Sequence, residues 1–262
     1  GINGFGRFGQ HLLKYCLEQP ELFSIRYIND SVLTLQETVH ILSNDRYLST
    51  FYRPRLRIEG SMLMVEDTRG QTHAIEYTTQ TGNRIGWLGK PELFFECSGK
   101  YTQGNDVRDF LKGNTKKVII SATAQTSDKV LVYGFNEHEY SSEDNVISYG
   151  SCTINAYVPF ANFINKKYGV TESDFHIIHN IAEYQIPPLP TLKRTGSTVE
   201  YIAPKLLPFL NGSNFAVICT YIPYGGVSML DYRFRLKVVP TALQCINDIA
   251  EAVTVGDLKG LY

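Results

Sequence analysis

Short hydrophobic runs alternate with amphipathic stretches along the first 150 residues of the chain. Hydrophobic residues recur at helical spacing between residues 8 and 17 and again over about residues 33–42. The alternation of strands and helices predicts a doubly wound α/β domain over residues 1–150, with a parallel sheet covered by helices on both faces. The patterns indicate strands at 24–30, 92–96, 117–120, 129–133 and 145–148, a hairpin at 55–59 and 62–65, and a short helix at 106–112.

The hydrophobic pattern changes after residue 150. Longer alternating segments at 214–222 and 228–238 are typical of half-buried antiparallel strands. In the second segment Arg233 and Arg235 share one face, and Phe234 lies on the other. A helix is expected at 241–253, after Pro240. Residues 151–262 are therefore predicted to form a second, α+β domain with a mostly antiparallel sheet.

Composition excludes several classes of protein. The chain has 262 residues, 43% of them hydrophobic, which suffices for one large or two medium cores. A net charge of −1 gives no indication of a nucleic-acid or membrane surface. The five cysteines show no CxxC spacing, so neither a metal site nor a disulfide framework is expected, and a reducing cytoplasm fits. The chain starts without methionine, so a removed targeting segment stays open.

A glycine-rich loop joins the first strand to the first helix. Gly4, Gly6 and Gly9 form a GxGxxG pattern, which lets a dinucleotide pyrophosphate approach the helix N-terminus. Asp30 ends the next strand, 21 positions after Gly9, where a carboxylate binds the adenosine ribose. Since a carboxylate repels a 2′-phosphate, the sequence predicts NAD rather than NADP.

Further candidate cofactor residues follow from the topology of such a sheet. Ligands bind at the carboxyl ends of parallel strands. Ser98 and Gly99 follow the strand at 92–96, and Ser121 follows the strand at 117–120. Arg7 and Phe8, inside the glycine-rich loop, complete the predicted cofactor-binding set.

A cysteine and a histidine are the candidate catalytic pair. Cys152 stands between Ser151 and Thr153, in front of a helical pattern, where oriented amide groups favour a thiolate. His179 comes 27 positions later, after an apolar strand, and a histidine can act as base to a cysteine nucleophile. Without further context, the same pattern also fits a buried structural cysteine and an unrelated histidine.

Several motifs together resemble one enzyme family. Ser151-Cys-Thr-Ile-Asn155 with His179 is similar to the active-site segment of phosphorylating glyceraldehyde-3-phosphate dehydrogenases. The segments Gly1–Gly9, Glu96–Gly99, Lys117–Ala122 and Tyr221–Asp231 follow in that family's order. Erythrose-4-phosphate dehydrogenases share these motifs.

The resemblance implies an NAD-dependent, cytoplasmic, glycolytic homotetramer acting on a small phosphorylated aldehyde. Cys152 would attack the aldehyde, the adduct would lose hydride to NAD, and phosphate would release the thioester as an acyl phosphate. His179 would serve as base. Ser151 and Thr153 would contact the attacking phosphate, together with the Thr195-Gly196 loop.

The chain departs from the family at several positions. Ala182 stands where the family has a phosphate-contacting threonine, and Tyr221 where it has an anion-binding arginine. Arg194 is the nearby cation most able to compensate. The loop before residue 193 is short, and the chain ends before the part that would supply a nicotinamide-orienting asparagine. Omitted segments would explain the last two differences, whereas a divergent paralogue would explain all four.

Three functions therefore compete. The first is a phosphorylating dehydrogenase of a small sugar phosphate. The second is a dehydrogenase of the same mechanism with another aldehyde substrate. The third is a weakly active NAD-binding or interaction protein that keeps the fold.

Overall fold

The computed structural model describes residues 1–44, 55–180, 193–223 and 227–262, with the side chains at 193 and 194 left aside. The chain divides into two compact units. The first comprises residues 1–130 and 140–149, and the second comprises residues 131–139 and 150–262. Residues 131–139, assigned to the first domain from the sequence, thus cluster with the second unit.

The described part of the first unit contains one nine-stranded sheet. Its strand order is β3-β4-β5-β2-β1-β6-β7-β9-β8. The β3–β4 and β4–β5 pairings are antiparallel, and all the others are parallel. The mainly parallel order is that of a Rossmann-type fold. The strands are β1 Ile2–Asn3, β2 Tyr27–Asn29, β3 Leu56–Glu59, β4 Met62–Glu66, β5 Thr72–Thr78, β6 Leu93–Glu96, β7 Lys117–Ile120, β8 Lys129–Val130 and β9 Val146–Ser148.

Hydrophobic clusters cover both faces of this sheet. Helices α1 (Arg7–Glu18) and α2 (Leu35–Asn44) pack residues such as Leu13 into one cluster. The other cluster surrounds Trp87. Phe95 joins the first cluster and its neighbour Phe94 the second, because successive strand residues point to opposite faces.

Two predicted elements differ in the structure. The short helix expected at 106–112 is a 3₁₀ helix, Gly104–Phe110. The strand expected at 129–133 stops at Val130. The chain turns immediately afterwards, since the Val132 N–H donates to Oδ1 of Asn136 at 2.8 Å.

A line of hydrogen-bonded polar side chains, most of them buried, crosses four adjacent strands of the first sheet. Thr78 on β5 donates to Oδ1 of Asn29 on β2, and Nδ2 of Asn29 donates to Oδ1 of Asn3 on β1, each at 2.8 Å. Nδ2 of Asn3 then donates to Glu96 on β6. Asn3, Asn29 and Glu96 are each at most 5% exposed. Burial without solvent makes each of these hydrogen bonds necessary.

The second unit combines helices with a smaller sheet. Its strand order is β11-β12-β10-β13. The β11–β12 and β10–β13 pairings are antiparallel, whereas the central β10–β12 pairing is parallel. The elements are α3 Cys152–Tyr168, β10 Val170–Asn180, β11 Lys193–Thr195, α4 Val199–Leu206, β12 Phe215–Ile222, β13 Met229–Leu236 and α5 Ala242–Thr254.

An aromatic cluster holds α3 against this sheet. The ring of Tyr157 on α3 stacks on Phe175 of β10 and Phe215 of β12, at centroid distances of 4.9 and 5.5 Å. The Tyr157 hydroxyl donates to Ser173 Oγ at 2.8 Å. This packing fixes the helix whose first residue is Cys152. Within the described ranges, none of the helices has the length and apolar character that crossing a bilayer requires.

Candidate active site

Cys152 is the first residue of α3. Ser151 precedes it as the N-cap residue, and its Oγ accepts a hydrogen bond from the Ile154 N–H at 3.3 Å. The Ser151 and Thr153 hydroxyl oxygens lie 2.9 Å apart. Thr153 is buried, whereas Cys152 is exposed. The helix start therefore presents an accessible thiol beside the backbone amides of the first turn.

His179 faces this thiol from the carboxyl end of β10. Its Nε2 lies 3.8 Å from Sγ of Cys152. Nδ1 lies 2.6 Å from the carbonyl oxygen of Asn180, to which it donates. This hydrogen bond assigns the Nδ1 proton and leaves Nε2 to exchange a proton with the sulfur. The pair predicted from the sequence is thus together in space.

Ser228 anchors the residue that orients the imidazole. The Asn180 N–H donates to Ser228 Oγ at 3.3 Å, and this hydroxyl donates to Oδ1 of Asn180 at 2.9 Å. Ser228 directly precedes β13, so two neighbouring strand ends hold the carbonyl group that His179 uses. Neither Asn180 nor Ser228 was identified from the sequence, since the contact joins positions 48 residues apart.

Electrostatics favour a charged pair at this site. The hydrogen bond from His179 lowers the pKa of the Cys152 thiol, and amides at the helix N-terminus act in the same direction, against partial desolvation of the thiol by surrounding atoms. The hydrogen bond to Cys152 raises the pKa of His179. A thiolate beside an imidazolium is the state that both shifts favour.

Three other cysteines have the opposite environment. Burial raises the pKa of Cys16 to about 11 and that of Cys97 to about 12. Burial also raises the pKa of Cys219. These thiols are protonated at neutral pH and therefore poor nucleophiles.

Tyr221 lies beside His179. It pairs with His179 across the parallel β10–β12 register. The two ring centroids are 5.4 Å apart and the ring planes are inclined by 72°. Tyr221 is 36% exposed, so part of its ring borders solvent. The residue that stands where the family has an arginine is thus an aromatic neighbour of the imidazole.

The other predicted phosphate residues lie on or after β11. Backbone pairing sets Thr195 opposite Cys219 and Arg194 opposite Thr220, while Lys193 is opposite Tyr221. Gly196 follows β11, and an added Cβ there would meet no atom of the described residues within 4 Å. Their phosphate contacts stay predictions, and Ala182 lies outside the described residues.

The glycine-rich loop belongs to the first unit and is closely packed. Gly4 has φ of +89°, and an added Cβ would lie 2.3 Å from the Ser98 backbone. A Cβ on Gly9 would lie 2.4 Å from the Gly4 carbonyl oxygen. Gly6, the N-cap of α1, faces open space, and the first turn holds no acidic residue. This helix start fits an anionic pyrophosphate.

Asp30 has a structural role that the sequence did not indicate. Its Oδ2 accepts the Phe5 N–H at 2.6 Å, and its Oδ1 accepts the N–H groups of Val32 and Leu33 at 2.8 and 2.9 Å. The carboxylate thereby ties the glycine-rich loop to the segment after β2. Its predicted contact with a ribose stays a prediction.

The remaining predicted cofactor residues lie near the ends of β6 and β7 or on α1. Ser98 donates through its N–H to Oε1 of Glu96 at 2.7 Å, and the Ser121 N–H donates to the Glu96 carbonyl oxygen at 2.9 Å. Gly99 has φ of +70°. Arg7 and Phe8 open α1 and are exposed.

Two contacts near these residues were not predicted from the sequence. Glu96 links the loop after β6 to β1, and Lys100 Nζ donates to Ser31 Oγ at 2.8 Å. The strand-end position of Glu96 was visible in the sequence, but its partners were not. Over the described ranges, no group of three or more His, Cys, Asp or Glu side chains could hold a metal ion.

Comparison with known proteins shows similarity to glyceraldehyde-3-phosphate dehydrogenases. Residues 1–104 match the family described as "Glyceraldehyde 3-phosphate dehydrogenase, NAD binding domain". Glyceraldehyde-3-phosphate dehydrogenase 4 of Caenorhabditis elegans is 29% identical over 278 residues, covering 100% of this chain and 80% of its own. The cytosolic enzyme of Magnolia liliiflora is 29% identical over 277 residues, with coverage of 100% and 79%.

Glyceraldehyde-3-phosphate dehydrogenase 1 of Bacillus subtilis is also 29% identical, over 281 residues that cover 100% of this chain and 80% of its own. The similarity therefore extends over plant, animal and bacterial proteins and is not confined to the first unit. The chain is similar over its whole length to glyceraldehyde-3-phosphate dehydrogenases, its first 104 residues match their NAD-binding domain, and NAD is its cofactor.

Proposed function

We propose that this protein is an NAD-dependent dehydrogenase that oxidises glyceraldehyde 3-phosphate or a similar small sugar phosphate through a thioester on Cys152. The observation that carries this proposal is the Cys152–His179 pair, with Sγ and Nε2 3.8 Å apart at the start of α3. The family relationship supports the same chemistry. Inorganic phosphate is the proposed second substrate, which releases the product as an acyl phosphate.

The two side chains account for the addition step. The Cys152 thiolate attacks the aldehyde carbon and forms a C–S bond. The carbonyl oxygen gains the electron pair and takes the proton from Nε2 of the imidazolium, which gives a hemithioacetal. His179 is then neutral, with its Nδ1 proton held by the Asn180 carbonyl group.

The oxidation step reverses the proton transfer. When bound, NAD supplies the hydride acceptor for the hemithioacetal carbon. Nε2 of His179 accepts the hydroxyl proton as the C=O bond forms, which leaves a thioester on Cys152. Attack by phosphate on the thioester carbon expels the Cys152 thiolate, and the imidazolium again stabilises it.

The phosphate contacts are part of the proposal. Ser151, Thr153, Arg194, Thr195 and Gly196 are the proposed ligands of the substrate phosphates. The Ser151 and Thr153 hydroxyls flank the nucleophile. Because Ser151 Oγ also caps α3, its hydroxyl has both a structural and a proposed binding role.

The second candidate is a dehydrogenase of the same mechanism with another, less phosphorylated aldehyde. Tyr221 favours it, since a neutral phenol beside His179 replaces the arginine of the family pattern. A weakly active NAD-binding protein is the third reading, and the intact cysteine–histidine pair weighs against it. We further propose a cytoplasmic homo-oligomer, tetrameric as the family resemblance implies.

Steady-state assays test the proposal. NADH formation should require an aldehyde and increase with inorganic phosphate, and the product should be an acyl phosphate that hydroxylamine traps. Cys152→Ala should abolish NADH formation, whereas the matched control Cys245→Ala should retain it. Equal rates in Cys152→Ala and the parent would refute the thioester route. Higher activity with unphosphorylated aldehydes would favour the second candidate.

A further inference from the structure

The imidazole of His179 has limited support from hydrogen bonds alone. Its Nδ1 is fixed by the Asn180 carbonyl group at 2.6 Å, but its Nε2 reaches the sulfur only at 3.8 Å. A sulfur hydrogen bond of that length depends strongly on direction. A small swing of the ring about its Nδ1 contact would therefore move Nε2 off the thiolate.

Tyr221 is placed to oppose that swing. It is the direct neighbour of His179 on the parallel strand β12, so both side chains lie on one face of the sheet. The rings meet at 5.4 Å and at 72°, an edge-to-face arrangement that favours one orientation of each ring. Among the described residues, no hydrogen bond joins the Tyr221 hydroxyl to His179. The two side chains therefore make contact through their rings.

We propose that the aromatic ring of Tyr221 is a positioning element that keeps Nε2 of His179 aimed at Cys152. This inference rests on the proposed function, because it concerns the same cysteine–histidine pair. It assigns Tyr221 a role apart from any contact with substrate. An arginine at the same position would provide a cation but no ring for the imidazole.

The titratable groups near the Cys152–His179 pair do not obscure the pH dependence of Cys152 labelling. Among the described residues, the titratable groups near His179 are Cys152 itself, from α3, and Tyr221 and Cys219 on β12. Burial raises the pKa of the Tyr221 phenol and that of the Cys219 thiol, so both stay neutral in the range tested. A change in the pH profile of Cys152 therefore reports on its coupling to His179.

The test is the rate of iodoacetamide labelling of Cys152 as a function of pH, read by peptide mass spectrometry on the full chain without substrate. Tyr221→Phe keeps the ring and should leave the midpoint unchanged. Tyr221→Leu removes the ring and should move the midpoint upward by about 0.5–1 pH unit, the shift equivalent to one lost aromatic contact. Tyr221→Met is a second ring-free variant, measured alongside in case Tyr221→Leu folds poorly.

Two further variants make the result specific. Tyr201→Leu removes an exposed ring from α4 and should leave the profile unchanged. In a His179→Asn background, Tyr221→Leu should add no further shift, because the ring acts only through the imidazole.

Each contrary outcome has a distinct meaning. An unshifted midpoint in both ring-free variants overturns the positioning role, as does an equal shift in Tyr221→Phe, which would assign the effect to the hydroxyl. An additional shift in the His179→Asn background also overturns it. If His179→Asn itself leaves the midpoint unchanged, the cysteine–histidine pairing of the proposed function fails, and the positioning role fails with it.

Discussion

Residue identity alone does not distinguish Cys152 from the other thiols. Cys16, Cys97 and Cys219 have the same side chain in surroundings that raise their pKa values. At Cys152 a histidine and a helix start outweigh the partial desolvation of the thiol. Reactivity at this scale is a property of three neighbouring groups: the thiol, the adjacent helix start and the sequence-distant His179.

We expect iodoacetamide to label Cys152 before the other four cysteines at mildly acidic pH. Its lowered pKa keeps thiolate present below the ordinary thiol range of about 8.5, and the raised pKa of His179 keeps imidazolium present above about 6.5. Labelling should fall as pH drops through the lowered pKa of Cys152. His179→Asn should slow labelling near pH 6.5, which peptide mass spectrometry can follow. Uniform labelling of all five thiols would contradict the assignment.

Asp30 should make the protein prefer NAD over NADP, because its carboxylate can accept from ribose hydroxyls and repels a 2′-phosphate. Calorimetry should show a smaller preference in Asp30→Ala. This variant should also be less stable by about 1–3 kcal/mol, since three backbone N–H groups lose their acceptor. Asp30→Asn, which keeps one acceptor oxygen, is the control for stability. Tighter binding of NADP by the parent would contradict the prediction.

Tyr221→Arg should lower the Michaelis constant for glyceraldehyde 3-phosphate. A charge-assisted hydrogen bond to phosphate contributes about 1.5–3 kcal/mol, which corresponds to roughly 10- to 100-fold. The turnover number should fall in the same variant, because the ring beside His179 is lost. The Michaelis constant for unphosphorylated glyceraldehyde should not change. A low constant in the parent that Arg194→Ala does not alter would contradict weak phosphate binding.

At the scale of elements, the turn between β1 and α1 shows how different two glycines of one motif are. Gly4 combines φ of +89° with backbone atoms that would lie 2.3 Å from an added Cβ, so any side chain there is excluded. Gly6 has φ of −70° and open space. The motif thus contains one glycine needed for folding and another whose open side suits a ligand.

Gly4→Ala should therefore destabilise the first unit by at least about 2 kcal/mol. Gly6→Ala should remain as stable as the parent but bind NAD more weakly, because its methyl group occupies the space predicted for the pyrophosphate. Urea denaturation and calorimetry separate the two effects. Equal loss of stability in both variants would show that the loop is packed differently.

Elements with a strong local pattern could be predicted from the sequence. The helix at 241–253 is found at Ala242–Thr254, where Thr241 Oγ1 accepts the Gln244 N–H at 3.2 Å as a cap. The parallel pairing of β10 with β12 was not predicted, since half-buried strands alternate in the same way in both pairing directions. The contact of Tyr221 with His179 depends on that pairing and could not be found from either segment alone.

At the scale of the molecule, two units carry the two halves of the proposed chemistry. The first contains the glycine-rich loop that is predicted to bind NAD, and the second contains the cysteine–histidine pair. The pattern change after residue 150 reflects this division in the sequence. The assignment of residues 131–139 could not be predicted, because their clustering depends on contacts distant in the sequence.

We expect the protein to be a homo-oligomer, with a tetramer as the specific prediction. Large hydrophobic side chains remain exposed on described residues of the second unit, among them Met229 at 61%, Leu243 at 68% and Ile246 at 63%. Light scattering coupled to gel filtration should give about four times the chain mass of 29.6 kDa. A mass of one chain at micromolar concentration would contradict the prediction.

The polar line through Asn29, Asn3 and Glu96 has a consequence for synthesis of the chain on the ribosome. Its two links close segments of 26 and 93 residues. Until Glu96 has emerged, the Asn3 side-chain amide lacks the acceptor that β6 supplies. The nascent first unit should thus stay open to chaperones and proteases at least until β6 is available.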